Sequence, residues 1–138
     1  MKHFLENDFE YTFQLIGISC HEKDYRLCWA INQKLALNLK KTETDLELVR
    51  KRTKKTAYYS VFEYLNEDTL NEYFLINNRS KDGILINELT HLDFFFMIKG
   101  DYPVDISLLE TEIKKIPFIL TAHKVVVDSL VSKENLIF

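Results

Sequence analysis

The sequence predicts an α+β fold with a mainly antiparallel sheet of five to six strands, a meander in its middle, and two helices packed on one face. Apolar and polar residues alternate over several short segments, which is typical of strands. Two other segments repeat apolar residues every three to four positions, as amphipathic helices do. In the middle of the chain the strands follow one another with only turn-like residues between them, which favours antiparallel pairing.

The first strand and the first helix are predicted near the start of the chain. Phe9 to Ile18 alternates with period two, and Gly17 within it suggests a bulge or a close backbone approach. Tyr25 to Leu37 carries one apolar stripe at helical spacing, with Asp24 as its predicted N-cap. Trp29 falls off the centre of the stripe and is expected at its edge.

The middle of the chain predicts the meander. Leu46 to Val49 and Ala57 to Leu65 are expected as strands, and Leu70 to Asn77 as the third. Asp82-Gly83 is a strong tight-turn signal that would reverse the chain into Ile84 to Ile86.

The densest apolar run predicts the centre of the sheet. Leu92 to Lys99 is short, apolar and bounded by turn signals, which indicates a strand buried on both faces. Ser107 and Glu110 form a capping-box pattern that predicts the start of a second helix. Pro117 would end that helix, and Phe118 to Val127 is expected as the last strand.

Length and composition predict one domain spanning residues 1–138, with residues 129–138 as a tail that docks on it. The net charge of −3 excludes a globally basic nucleic-acid binder but leaves room for a local basic patch. No signal peptide and no membrane-spanning run is evident, and the two cysteines suit a reducing compartment. A cytoplasmic location is therefore expected, with no membrane partner.

Cysteines and histidines could be imagined as a metal site. Cys20 and Cys28 are eight residues apart, however, and this matches no ligand spacing of structural zinc. His21, His91 and His123 are scattered along the chain. We therefore predict no metal site, no cofactor and no small-molecule ligand, and we expect Cys28 to pack as a small apolar residue.

Several short segments together resemble the IPExxxVDY family of small bacterial proteins, over nearly the whole chain from about Phe9. The segments are Asp24 to Asn32, Ile86-Asn87-Glu88 with Leu92-Asp93-Phe94, and Ile98-Lys99-Gly100. Ile86, Glu88 and Asp93 match the family signature, whereas Asn87, Leu92 and Phe94 replace its proline, valine and tyrosine. The resemblance implies no particular activity, cofactor or catalytic residue.

The signature carboxylates Glu88 and Asp93 have two interpretations. As catalytic groups, they could perform acid–base chemistry if their environments separated their pKa values. As structural groups, Glu88 would accept hydrogen bonds from backbone donors in its turn, and Asp93 would cap a strand or pair with Arg26 or Arg79. No nucleophile, second base or glycine-rich loop accompanies them, so we favour the structural role and predict no catalytic residue.

A basic cluster lies at the predicted tip of the first hairpin of the meander. Its residues are Arg50, Lys51, Arg52, Lys54 and Lys55. Such a cluster could hold RNA phosphates, with Tyr58 and Tyr59 nearby as stacking partners. A solvated loop that blunts the sheet edge explains it equally simply, and no known RNA-binding motif is present, so we favour the solvated loop.

The C-terminal residues Leu136, Ile137 and Phe138 are too apolar to be left in water. Docking on the domain's own core is favoured, and a groove on a partner is the alternative. The leading functional hypothesis is a non-enzymatic module that binds a protein partner. The alternative is an RNA- or ribosome-associated factor that uses the basic loop 50–55, and an enzyme that uses Glu88 and Asp93 comes third.

Overall fold

A computed structural model describes residues 13–50, 52–127, 130 and 132–136. It contains a six-stranded antiparallel sheet and two α-helices, so the predicted α+β class is confirmed. The strands are β1 (Phe13–Cys20), β2 (Lys40–Lys41), β3 (Leu46–Val49), β4 (Thr56–Tyr59), β5 (Val61–Leu65), β6 (Glu72–Asn77), β7 (Arg79–Ser80), β8 (Gly83–Ile84), β9 (Phe94–Lys99) and β10 (Ile119–Val125). The α-helices are α1 (Asp24–Leu35) and α2 (Ile106–Lys114), and the 3-10 helices are Asn87–Leu89 and Lys133–Leu136.

The main sheet has the strand order β10-β1-β9-β6-β5-β2, and its neighbouring strands are antiparallel. β9 lies inside the sheet between β1 and β6, and its residues from Phe94 to Ile98 are all buried. The apolar run was expected at the sheet centre, and this expectation is confirmed. Because side chains alternate along a strand, Phe96 faces one layer of the protein and Phe95 faces the other.

Both helices pack on the same face of the sheet, as the sequence predicts. Leu27 and Ile31 of α1 share one buried cluster with Ile113 of α2 and with Phe96 of the central strand. The cluster continues through apolar residues of β1, β5, β6 and β10. Burial of these periodic stripes is what fixes the helices on the sheet.

The opposite face is covered without α-helices. The β3–β4 hairpin contributes Ala57 and Tyr59, and the segment after β8 contributes Leu85, Ile86 and Leu92. The buried side chains of Leu130 and Leu136 from the C-terminal region complete this layer.

The predicted meander differs from the structure in its first half. β3 pairs with β4 in a separate two-stranded sheet and does not join the main sheet. The strand expected from Ala57 to Leu65 is interrupted at Ser60, so that its two halves belong to different sheets. The turn predicted at Asp82-Gly83 is confirmed, since β7 and β8 pair across it and Gly83 has a φ of 125°.

Both predicted helix caps are wrong. α1 begins at Asp24 itself, with Lys23 at the N-cap position and no side-chain cap bond. The N-cap of α2 is Asp105 and not the predicted Ser107, because the Asp105 carboxylate accepts the backbone N–H of Leu108 at 3.1 Å and the helix begins at Ile106. An aspartate two residues earlier thus competes successfully with the capping-box pattern.

Gly17 marks a close backbone approach, as predicted, while the bulge of β1 lies at Ser19 and Cys20. A Cβ atom on Gly17 would lie 2.4 Å from Cδ1 of Leu92 and 3.1 Å from Cγ2 of Val125. The missing side chain therefore lets Leu92 lie directly on β1.

Candidate functional site

Asn78 holds the signature segment 85–92 against the sheet. Its fully buried side chain accepts the N–H of Ile86 at 2.8 Å and donates to the carbonyls of Leu89 at 3.1 Å and Leu92 at 2.8 Å. Ile86 itself is completely buried in the second cluster. We call this arrangement the Asn78 clamp, and it gives a loop without regular strands a defined shape.

Asp93 joins three parts of the chain. Its Oδ1 accepts from Nε of Arg79 at 2.6 Å, and its Oδ2 accepts from the N–H of Cys20 at 2.8 Å and the hydroxyl of Ser19 at 3.4 Å. Of the two arginines considered as partners, Arg79 is therefore the one that pairs, while Arg26 forms its ion pair elsewhere. Both oxygens of Asp93 are thus used by the fold.

Glu88 is exposed and serves a different region. Its Oε2 accepts the N–H of Ser132 at 2.8 Å, which ties the 3-10 turn to the C-terminal segment. The sequence interpretation placed its donors in its own turn, whereas this donor lies in the C-terminal segment. An open cleft of about 410 Å³ lies beside Asp93 and is lined by residues 20–24 and by Asn77, Arg79 and Phe94, but not by Glu88. The two signature carboxylates therefore do not form one acid–base pair in that cleft.

The thiols are buried and not activated. Burial raises the pKa of the Cys20 thiol, and burial raises the pKa of Cys28 from 9.0 to about 11. In the described part of the chain, no three histidine, cysteine or acidic residues come together in a way that could hold a metal ion. His91 and His123 nevertheless lie side by side, with ring centroids 6.2 Å apart.

The basic hairpin tip is divided by the structure. Arg50 turns inward, where its Nη2 donates to the hydroxyl of Tyr59 at 2.8 Å and the carbonyl of Ile84 at 3.0 Å. Tyr59 is fully buried. Neither residue is therefore free to contact RNA, and the expectation for Tyr59 as a stacking partner is wrong.

The rest of the tip remains available to solvent. Arg52, Lys54 and Lys55 are exposed, and Tyr58 on the outer face of the hairpin is 46% exposed. Lys51 lies outside the described residues. Within the described residues, an anionic partner at this tip would therefore meet three exposed cations and one exposed tyrosine.

The C-terminal candidate residues fall into two groups. Leu136 is completely buried in the protein's own second cluster, so it presents no surface to a partner. Asn135 beside it donates through Nδ2 to the carbonyl of Leu85 at 2.8 Å. Ile137 and Phe138 lie outside the described residues.

The outer face of α1 carries the surface that the sequence analysis missed. Tyr25 and Trp29 are one turn apart, and each is 65% exposed. The sequence places Trp29 at the edge of the apolar stripe, whereas the structure points it away from the buried Leu27 and Ile31. The signal was present in the spacing, because residues 25, 29 and 33 form one row on the side of the helix opposite the stripe.

This aromatic face, Tyr25 with Trp29, is flanked by mixed charges. Nε of Arg26 pairs with Oε1 of Glu22 at 3.1 Å, and the guanidinium lies 5.8 Å from the ring centroid of Phe118. The positive and negative charges beside the face therefore largely cancel. The surface of the face itself is aromatic.

A wider open groove of about 880 Å³ lies where the base of the β3–β4 hairpin meets the sheet. Its walls carry both signs of charge, including an ion pair of 3.2 Å between Lys41 and Asp45. The groove does not contain Glu88 or Asp93, the two carboxylates considered as catalytic groups.

Comparison with known proteins assigns nothing to the chain: no family model, no curated protein and no solved structure matches it. Among the described helices, none has the length and apolar character needed to cross a bilayer. Function therefore has to follow from the contacts, burial and charges of the described residues.

Proposed function

We propose that this protein is a non-enzymatic interaction module that binds a protein partner through the aromatic face of α1. One observation carries the proposal: Tyr25 and Trp29 lie one helical turn apart, and each residue is 65% exposed to solvent. Tryptophan and tyrosine are the residues most enriched at the energetic centres of protein interfaces.

The free energy available from covering this face is substantial. An aromatic side chain has about 150–250 Å² of surface, so covering the exposed part of each ring would contribute roughly 3 kcal/mol at about 25 cal/mol per Å². Neither ring contributes to either of the two buried clusters. The two buried clusters therefore form without these rings, and the rings remain available to a partner.

The helix that carries the two rings is well fixed. Its own side chains on the opposite side, Leu27, Cys28 and Ile31, are buried in the protein. Near its end, Oδ1 of Asn32 accepts the N–H of Leu39 at 2.8 Å, and its Nδ2 donates to the Leu39 carbonyl at 3.1 Å. A partner would meet a preformed surface, which lowers the entropy lost on binding.

The test is capture and titration of a partner by variants of the aromatic face. Trp29→Ala and the double variant Tyr25→Ala/Trp29→Ala are compared with wild type and with Leu108→Ala, which removes a 55% exposed apolar side chain from α2. Partners captured from ribonuclease-treated extract are purified and titrated by calorimetry. We expect the double variant to weaken binding at least about 30-fold, the equivalent of 2 kcal/mol, and the Leu108→Ala control to change it less than about twofold.

Two further results would refine the test. Because the charges around the face are mixed, raising the salt concentration should change the affinity little. Equal affinities for wild type and the double variant would contradict the proposal. Exposed substitutions of this kind should leave the free energy of unfolding within about 0.5 kcal/mol of wild type, so loss of folding does not confuse the result.

RNA or ribosome association is the second candidate function, and the exposed Arg52, Lys54, Lys55 and Tyr58 favour it. Three phosphate contacts predict that log K falls with log salt with a slope of about −2 for single-stranded RNA. Fluorescence anisotropy of a labelled RNA 12-mer, with the three cations replaced by glutamine as the comparison, measures this slope. Binding that is absent, or unchanged in the triple variant, would exclude the tip as an RNA site.

We also propose a reducing compartment, the cytoplasm, since both described cysteines are buried free thiols. Membership of the IPExxxVDY family is likewise a proposal. The anchoring roles of Ile86, Glu88 and Asp93 support it, because a signature of this kind is well suited to fixing a fold. A structure of a family member that lacks these anchoring contacts would count against it.

A further inference from the structure

We propose that His91 and His123 form a two-histidine binding site for a divalent late transition-metal ion such as Zn²⁺. The two residues are 32 positions apart in sequence, yet their rings lie within 6° of parallel with centroids 6.2 Å apart. Both residues are exposed, so an ion can reach them from solvent. This site is separate from the proposed docking face on α1 and does not depend on it.

The backbone beneath His123 is held by the sheet. His123 lies on β10, directly opposite Gly17 of β1 in the antiparallel register. The absence of a side chain on Gly17 allows Leu92 to lie on this point of the sheet, 2.4 Å from where a Cβ atom would be. The residue before Leu92 is His91, and this contact therefore brings the two histidines to one place on the surface.

The backbone around His91 is equally well fixed. The N–H of Leu92 donates to the carbonyl of Leu89 at 3.1 Å, and the N–H of Asp93 donates to Ile18 of β1 at 2.8 Å. The Asn78 clamp holds the carbonyl of Leu92. Both histidines thus stand on backbone that is held by hydrogen bonds, and both side chains are exposed, which is the arrangement that favours chelation over two independent weak sites.

The two rings are close enough to share an ion once their side chains rotate. With Zn–N bonds of about 2.0 Å and a tetrahedral angle, two imidazoles on one ion have ring centroids about 5.2 Å apart. The observed 6.2 Å is about 1 Å wider, and the rings are parallel and stacked. Rotation of the exposed side chains therefore has to bring the rings closer and aim one nitrogen of each at the ion, and water would complete the coordination. Imidazole is a preferred ligand of zinc, copper and nickel.

The experiment is a calorimetric titration of the full chain with Zn²⁺. All variants carry His3→Ala, because His3 lies outside the described residues and could bind metal on its own account. His91→Ala, His123→Ala and the corresponding glutamine variants are compared with His21→Ala, an exposed histidine far from the pair in sequence. The unfolding temperature of each variant is measured first.

The protein that carries only His3→Ala is the parent of the series. We expect one zinc ion per chain in this parent and in its His21→Ala variant. Loss of either paired histidine should weaken binding by at least about tenfold, because the chelate becomes a single ligand. In the parent, the ring nitrogen signals of His91 and His123 should shift together in NMR spectra as zinc is added. Equal zinc affinity in the parent and in the His91 and His123 variants, or no zinc binding by the parent, would overturn the proposal.

Discussion

The two faces of the sheet are covered by different means. On one face, α1 and α2 bury regular apolar stripes against the strands. On the other, a hairpin, a 3-10 turn and a C-terminal segment are held by individual polar side chains such as Asn78 and Asp93. Asp93 lies where the first strand ends and bonds to both Cys20 and Arg79.

This difference shows how irregular backbone is stabilised inside a core. Helices satisfy their own peptide groups, so burying an apolar stripe is enough to attach them. A turn such as 85–92 leaves backbone donors and acceptors unpaired, and a buried amide has to supply the missing partners. We therefore expect the helix-covered face to depend on the apolar volume it buries and the other face to depend on specific hydrogen bonds.

The largest expected effect comes from Asn78→Ala. Three backbone groups lose their buried partner, at about 1–3 kcal/mol each, so the free energy of unfolding in urea should fall by about 4 kcal/mol. Asn32→Ala is the control, because this less buried amide bonds to the backbone of one residue, Leu39, and not to three separate residues. A loss in Asn78→Ala no greater than in Asn32→Ala would contradict the importance of the clamp.

Ile31→Ala tests the helix-covered face. Removing this fully buried side chain leaves a cavity and should lower the free energy of unfolding by about 3 kcal/mol. Hydrogen exchange sharpens the comparison: Ile31→Ala should raise exchange throughout the sheet, whereas Asn78→Ala should raise it most in residues 85–92. The same exchange pattern in both variants would remove the distinction between the two faces.

Gly17→Ala tests the contact between β1 and the signature segment. The new methyl group would overlap Leu92, and we expect a loss of about 2 kcal/mol. Leu92→Ala creates room, so the double variant should be more stable than the sum of the two single losses predicts. Additive losses in urea unfolding would mean that the two side chains do not meet.

The smallest effect is a pH dependence from Cys28. Because burial raises its pKa to about 11 from 9.0, the neutral thiol favours the folded state. This contribution is complete below pH 9 and is lost as the pH rises through about 11. The stability difference between wild type and Cys28→Ala should therefore narrow between pH 8 and pH 10.5 in urea unfolding, and a constant difference would contradict it.

Much of the architecture could be predicted because its signals are local. The stripe containing Leu27 and Ile31 predicts α1, and the unbroken apolar run from Phe94 to Ile98 predicts the central strand. The sequence also offers Arg79 as one of two partners for Asp93, and the structure pairs these two residues. The predicted cap of α2 failed because Asp105 offered a competing local hydrogen bond, and pattern alone does not rank such bonds. At α1 the N-cap residue Lys23 makes no side-chain bond, and Asp24 is already the first helical residue.

The candidate sites were less predictable. Asn78 resembles an ordinary turn residue in sequence, and only its burial shows that it holds the chain from Ile86 to Leu92. Arg50 belongs to a run of exposed cations in sequence, but its guanidinium bonds inward to Tyr59. Which member of a polar group turns inward depends on acceptors that are distant along the chain.

The sequence by itself determined the fold class, the central strand and the helix-covered face, since periodic burial of apolar side chains is encoded residue by residue. Only the tertiary structure decided that Tyr25 and Trp29 remain in solvent and that His91 lies beside His123. The physical reason is that these arrangements depend on contacts between distant segments. The position of Leu92 over Gly17 is such a contact, and no local pattern records it.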